Sequence, residues 1–204
     1  MKIVLATHNP GKAREFYEFL KPLHIEIISQ AELGIHEIEE TGLSFIENAI
    51  LKARYAAEKT GLPALADDSG LVVAALNGLP GIYSARYAGN TRDASAHNNK
   101  LLAAMQNVPD KERGATFHCV LAFLLNKNDP TPLICHGKWS GHILHEARGT
   151  QGFGYDPIFF VPTKNKSVAE LPLDVKMKLS HRGRALQLLF DLLPEKLNES
   201  RLTS

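Results

Sequence analysis

Four stretches of the chain hold residue types able to act on anions and metal ions. The first is Thr7-His8-Asn9-Pro10-Gly11-Lys12, between a short apolar run and an amphipathic segment. A loop that leaves a strand and opens a helix aims free N–H groups and the positive dipole end at whatever binds there. Lys12 adds a point charge. The loop is not a Walker A motif, because the early glycine is missing and Ala13 stands where a hydroxyl would touch magnesium. The same residues also read as an ordinary strand-to-helix turn. The second stretch is acidic: Glu39-Glu40, and Asp67-Asp68 followed by Ser69-Gly70. Glu39-Glu40 alone reads as solvated surface. Asp67-Asp68 ends an apolar run at what reads as a turn, where carboxylates would sit at a sheet edge. Two or three such groups suit Mg²⁺, a hard cation that takes oxygen ligands and keeps several waters. A carboxylate beside one of those waters can take its proton.

The third candidate set is helical. At about 100° per residue, Phe45, Asn48 and Lys52 share one arc. Lys52 either extends along the surface, as helical lysines commonly do, or faces the anion that Lys12 faces. The fourth set is C-terminal. Gly152-Phe153-Gly154-Tyr155-Asp156-Pro157 puts two aromatics and a carboxylate among glycines. Such a loop can stack a ring on a planar base while the carboxylate accepts from the base edge, or it can be a structural turn with two core aromatics. Ser180-His181-Arg182-Gly183 opens a helix. Ser180 is a good N-cap, but His181 and Arg182 sit at the positive dipole end, which an anion or polar acceptor nearby would rationalise. Lys176 lies just upstream. Together these sets form the parts of a Mg²⁺–nucleotide site.

The elements that must hold these residues follow from periodicity. Strands are expected at 2–6, 24–29, 64–66, 71–76, 114–126, 133–144 and 158–161, and helices at 11–20, 44–59, 93–105 and 181–193. Ser44-x-x-Glu47 is a capping box, and Ile46, Ala49, Ile50, Ala53 and Ala57 make one apolar stripe behind it. Ala185, Leu188, Leu189 and Leu192 mark the buried side of the last helix. Asp67-Asp68-Ser69-Gly70 reads as a turn between two strands. Alternating helices and strands with a strand pair in the middle indicate a mixed-sheet α/β protein, a single domain over residues 1–204 with a lobe inserted at about 110–160.

Composition narrows the function. The chain has 204 residues, 44% apolar and 22% charged, with 23 Lys and Arg against 22 Asp and Glu. A net charge of +1 excludes a general polyanion binder, so stable nucleic-acid binding is not expected. No signal-peptide core and no membrane-length apolar run occur, which gives a soluble, cytoplasmic expectation. Cys119 and Cys135 read as two reduced, buried thiols.

Seven blocks in order carry a resemblance. They are Thr7-x-Asn9-x-x-Lys12, Glu39-Glu40-Thr41-Gly42, Phe45-x-x-Asn48-Ala49-x-x-Lys52-Ala53, Ala66-Asp67-Asp68-Ser69-Gly70-Leu71, Gly78-x-Pro80-Gly81-x-Tyr83-Ser84-Ala85-Arg86, Gly152-Phe153-Gly154-Tyr155-Asp156-Pro157 and Ser180-His181-Arg182-Gly183. From residue 2 to about residue 193 the sequence resembles the inosine triphosphate pyrophosphatase family, in its bacterial dITP/XTP pyrophosphatase branch. The resemblance implies an elongated mixed β-sheet flanked by helices, with two lobes and the active site in the cleft. It implies Mg²⁺-dependent hydrolysis of deaminated purine nucleoside triphosphates (ITP, dITP, XTP, dXTP) to monophosphate and pyrophosphate, by a homodimer. Carried over by position, Thr7, His8, Asn9, Pro10, Gly11, Lys12 and Lys52 would hold the triphosphate, with the role of His8 open. Glu40 and Asp68 would hold the metal, and Asp68 would also take the water's proton. Ser69 would contact the substrate and Phe153 would stack on the base. Gly154, Tyr155, Asp156, Lys176, His181 and Arg182 would complete the nucleotide pocket. Other readings are a pyrophosphatase for other modified nucleotides and a nucleotide-binding protein without catalysis.

Overall fold

The computed structural model describes residues 1–202 apart from Asn90 and Arg92; for Pro10 and residues 199–202 the description is of the backbone only. The elements are β1 (Lys2–Leu5), α1 (Pro10–Leu20), β2 (Glu26–Ser29), α2 (Phe45–Thr60), β3 (Ala64–Val73), α3 (Ala94–Ala104), β4 (Gly114–Leu124), β5 (Leu133–Ile143), β6 (Phe159–Val161), β7 (Lys166–Ser167), α4 (Leu173–Leu179) and α5 (His181–Leu202). The seven strands form one sheet in the order β2-β1-β3-β4-β5-β6-β7. β1 runs parallel to β2 and β3, while β6 is antiparallel to both β5 and β7. The sheet is therefore mixed, as expected.

The chain divides into two compact units. The first comprises Met1–Asp68, Cys119–His136 and Ala185–Ser204. Its core under α2 is built from small side chains: Ala49, Ala53, Ala56 and Ala57 of the helix meet Val4, Ala6, Ala64, Ala66 and Ala122 of the strands. Side chains this short let a helix approach a sheet closely, and that approach sets how far a long side chain on α2 can reach. Ser44 caps α2, its Oγ accepting from Glu47 N at 3.3 Å. The return bond of the expected box lands one residue earlier, with Leu43 N donating to Glu47 Oε2 at 3.0 Å. Ile46 departs from the expected stripe and is 42% exposed. Cys119 and Cys135 are buried free thiols. Burial, and then the neighbouring Cys119, push the Cys135 thiol up to about 11, which makes it a poor nucleophile.

The second unit comprises Ser69–His118 and Gly137–Arg184. Its core is aromatic. Phe117, Trp139 and Phe159 pack at tilted angles, with centroids 4.5 Å apart for Phe117–Phe159 and 5.8 Å for Trp139–Phe159.

Two expectations are corrected. Asp67-Asp68-Ser69-Gly70 is no turn: β3 runs unbroken through it, because both carboxylates gain lysine partners that offset the poor strand propensity of aspartate. The last helix does not stop at residue 193 but continues through Pro194 to Leu202. It is held past the proline by Lys196, 5% exposed, whose Nζ donates to Thr131 Oγ1 at 2.9 Å and lies 3.4 Å from Asp129. Its buried face is Ala185, Leu186, Leu189 and Leu193, whereas Leu188 and Leu192 are exposed.

Candidate active site

In a strand, successive side chains leave opposite faces. Ala64, Ala66 and Asp68 therefore share the face of β3 that meets α2, and Leu65 and Asp67 share the other. Each carboxylate finds a lysine from the helix on its own side. Lys12, on the first turn of α1, is 2.8 Å from Asp67 Oδ2. Lys52, two turns into α2, donates to Asp68 Oδ1 at 2.8 Å and to Glu40 Oε1 at 2.9 Å. Asp67 and Asp68 are thus not one converging pair. The pair that converges is Glu40 and Asp68, joined by one ammonium.

The electrostatics of this cluster are set by burial and charge count. Asp68 is 6% exposed. Burial, the largest influence, raises its carboxyl; Lys52 lowers it, Glu40 and Asp67 raise it, and the result is about 6. For Lys52 burial works against the charge, but Asp68, Asp67 and Glu40 outweigh it and hold the ammonium above its ordinary range. One lysine answers to three carboxylates, while Asp68 answers to one ammonium and two like charges. The other oxygen, Asp68 Oδ2, is buried with no hydrogen-bond partner among the described residues.

The Thr7–Lys12 loop is organised by Asn9. Its Oδ1 accepts from Gly11 N at 2.9 Å and Lys12 N at 3.2 Å, and Asn9 N donates to Thr7 Oγ1 at 3.1 Å. Two N–H groups expected for an anion are therefore spent on the N-cap. Pro10 occupies the first helical position. His8 Nδ1 lies 3.0 Å from Gln30 Nε2 and 3.3 Å from Glu37 Oε1.

The second cluster belongs to the other unit. Phe153 is 53% exposed, with Lys176 Nζ 4.5 Å and the Arg182 guanidinium 5.8 Å from its ring centroid. Asp156 is buried, and its Oδ2 accepts from Phe153 N at 2.9 Å and Lys176 Nζ at 2.5 Å. This carboxylate braces the loop and the lysine. Gly152 has φ +81°, and a Cβ there would overlap Asp156 Oδ2. Tyr155 is a core residue whose OH donates to Ser84 O at 2.9 Å; burial, and then Tyr87, raise its pKa. Gly154 O accepts from Asn98 Nδ2 at 3.1 Å. Ser180 Oγ accepts from Gly183 N at 3.0 Å and caps α5, as its type predicts. His181 stacks on Phe117 at 4.7 Å and 10°. Ser69 follows Asp68 on β3 and is partly buried.

The Ham1 family signature matches residues 3–192. The chain belongs to the Ham1 family. Among its relatives, the dITP/XTP pyrophosphatase of Yersinia pseudotuberculosis serotype I is 58% identical over 192 residues, 94% of this chain and 98% of the relative. That of Vibrio parahaemolyticus serotype O3:K6 is 59% identical over 189 residues, covering 93% and 94%. A solved structure of a HAM1 protein from Coxiella burnetii is 52% identical with a TM-score of 0.92, covering 96% of this chain and 99% of that one. The resemblance carried by the seven sequence blocks is thereby borne out, and so is the mixed α/β fold.

In this Ham1 chain the structure adds residues that sequence reasoning passed over. Asp67 was legible only as half of an acidic pair, yet it is the partner of Lys12. Gln30 and Glu37, which flank His8, carry no motif. Ser84 Oγ accepts from Leu71 N at 2.9 Å, and Ser84 O receives Tyr155 OH, so the Gly78–Arg86 block ties β3 to the Phe153 loop. No group of three or more His, Cys, Asp or Glu is placed to hold a metal among the described residues. Glu40 Oε1 and Asp68 Oδ1 both meet the Lys52 ammonium, so a metal would take oxygens they leave over, among them the buried Asp68 Oδ2, which has no hydrogen-bond partner among the described residues. That set fits Mg²⁺, which takes one or two carboxylates and fills its remaining positions with water and substrate phosphates.

Proposed function

We propose that this chain hydrolyses deaminated purine nucleoside triphosphates (ITP, dITP, XTP, dXTP) to the nucleoside monophosphate and pyrophosphate, removing aberrant nucleotides from the pool. The observation that carries the chemistry is the pair Glu40 and Asp68 brought to one half-buried ammonium, that of Lys52. The names of the relatives support the substrate class.

Glu40 and Asp68 would hold Mg²⁺, which supplies charge neutralisation at the phosphates and acidifies water. Asp68 accepts the proton of the attacking water. Before any metal binds, burial raises its carboxyl to about 6, which makes it a stronger base than an ordinary aspartate. The water oxygen forms a bond to the α-phosphorus, the bond from that phosphorus to the β-bridging oxygen breaks, and pyrophosphate leaves with the electron pair. Lys12, Lys52 and the Thr7–Lys12 loop, His8 included, offset the charge on the phosphates. A phosphate that meets Lys12 competes for the ammonium with the buried Asp67.

The Phe153 ring offers an exposed face for stacking, and Asp156 holds Lys176 and the loop in place. Ser69 and Tyr155 would complete the nucleotide pocket. His181 and Arg182 supply donors that suit the C6 carbonyl of hypoxanthine and xanthine. Against the C6 amino group of adenine the same donors would be left unpaired, at a cost of about 1–3 kcal/mol. Pyrophosphate release compared across purine triphosphates tests the reading. Homodimerisation is inferred from the resemblance, and a cytoplasmic location from the sequence. Among the described residues no helix is long and apolar enough to cross a membrane.

A further inference from the structure

Glu40 lies in the irregular segment before α2, and such a segment needs something to fix it if its carboxylate is to meet Lys52. Asn48 is the one residue of α2 that reaches back with a polar side chain from complete burial: it is 0% exposed, and its Oδ1 accepts from Gly42 N at 2.8 Å. Gly42 is two residues from Glu40, and Asn48 is one helical turn before Lys52. The contact is tight enough to exclude any side chain at position 42, where a Cβ would come within 2.6 Å of Glu47 Cβ and 2.7 Å of Asn48 Oδ1. The amide orientation is fixed, since Gly42 N–H requires an acceptor. Asn48 Nδ2 is then a buried donor with no partner among the described residues. A buried donor left so costs stability, and an apolar residue of the same volume would avoid that cost. Asparagine here is a better clamp than it is a core residue.

We infer that Asn48 and Gly42 act as a positioning clamp that holds Glu40 beside Lys52 and Asp68, so that the two carboxylates present a ready cation site. The inference rests on the proposed role of Glu40 as a metal ligand. The clamp fixes the backbone at 42, the direction of the chain at 40 follows, and metal binding need not order the segment first.

The test uses full-length Asn48→Leu, which keeps the branching and heavy-atom count and removes the acceptor, and Gly42→Ala, which keeps Asn48 and pushes the two apart. Glu40→Gln serves as the reference. Amide hydrogen exchange at residue 42 reads the clamp without turnover. It should speed by at least tenfold in Asn48→Leu, with little change at amides in the middle of α2. The Mg²⁺ concentration giving half-maximal ITP hydrolysis should rise about tenfold in Asn48→Leu and Gly42→Ala, with a smaller change in KM for the Mg²⁺-saturated enzyme. The double variant should be no worse than the single ones, because both break the same contact. If Glu40→Gln leaves Mg²⁺ half-saturation unchanged, the metal-ligand reading of Glu40 falls. If Glu40→Gln raises it while both clamp variants fold and keep the original value, the clamp inference falls and the metal reading stands.

Discussion

Replacing Asp68 with asparagine should make the metal-free protein more stable while ending its turnover. An ordinary aspartate titrates near 3.8, and Asp68, lifted first by burial, titrates near 6. A folded-state value above the unfolded one means the unfolded chain binds fewer protons between those two pH values, so stability falls as pH rises through that window. Below pH 4 the side chain is neutral in both states and costs nothing. Above pH 6 the folded protein holds a buried carboxylate that Lys52 only partly compensates. Two pH units at about 1.36 kcal/mol each amount to about 3 kcal/mol. The asparagine side chain would have the shape of the neutral acid, and Lys52 would keep Glu40 at 2.9 Å. In a protein of this size about 3 kcal/mol corresponds to about 6–12 °C in Tm. The assay is thermal unfolding of both proteins in buffers free of divalent cations from pH 4 to 8. The Asp68→Asn protein should match the parent at pH 4, gain over it between pH 4 and 7, and stay ahead at pH 8, with ITP hydrolysis reduced by at least a thousandfold. A Tm difference that does not change with pH, or a variant less stable at pH 8, would refute the reasoning.

Two further outcomes follow from the second cluster. Gly152→Ala forces a side chain onto Asp156 Oδ2 from a left-handed backbone position, so it should cost about 1–3 kcal/mol in stability and raise KM for ITP more than it lowers kcat, as urea unfolding and steady-state kinetics would show. Arg182→Ala removes a donor assigned to the C6 carbonyl and should cut the ITP-to-ATP preference in kcat/KM by about tenfold or more; an unchanged ratio would show that the donor lies elsewhere.

The parts of the site that depend on local sequence were legible, and those that depend on the sheet were not. Ser44 and Ser180 were readable as caps because capping is decided within four residues, whereas Asn9 caps α1 where an anion cradle was expected. Lys52 could be placed on an arc of α2 but not given partners, since its reach depends on how closely four alanines let α2 approach the strands. Asp67-Asp68-Ser69-Gly70 has the local chemistry of a turn. It is a strand because Lys12 and Lys52, supplied by two separate helices, take one carboxylate on each face. Asp156 read either as an acceptor for a base edge or as part of a structural turn, and no local pattern shows that it is a buried brace for Phe153 N and Lys176. The last helix runs past the expected end at residue 193, because Lys196 finds Asp129 and Thr131 across 65 residues or more of chain.

The account is tested most directly by pyrophosphate release from ITP, XTP, dITP, GTP, ATP and dUTP in the presence of Mg²⁺, with the nucleotide product identified. It predicts that ITP, dITP and XTP yield pyrophosphate and the nucleoside monophosphate, with kcat/KM at least a hundredfold above that for ATP. Release of single phosphates to leave a diphosphate, or equal rates across all six nucleotides, would contradict it.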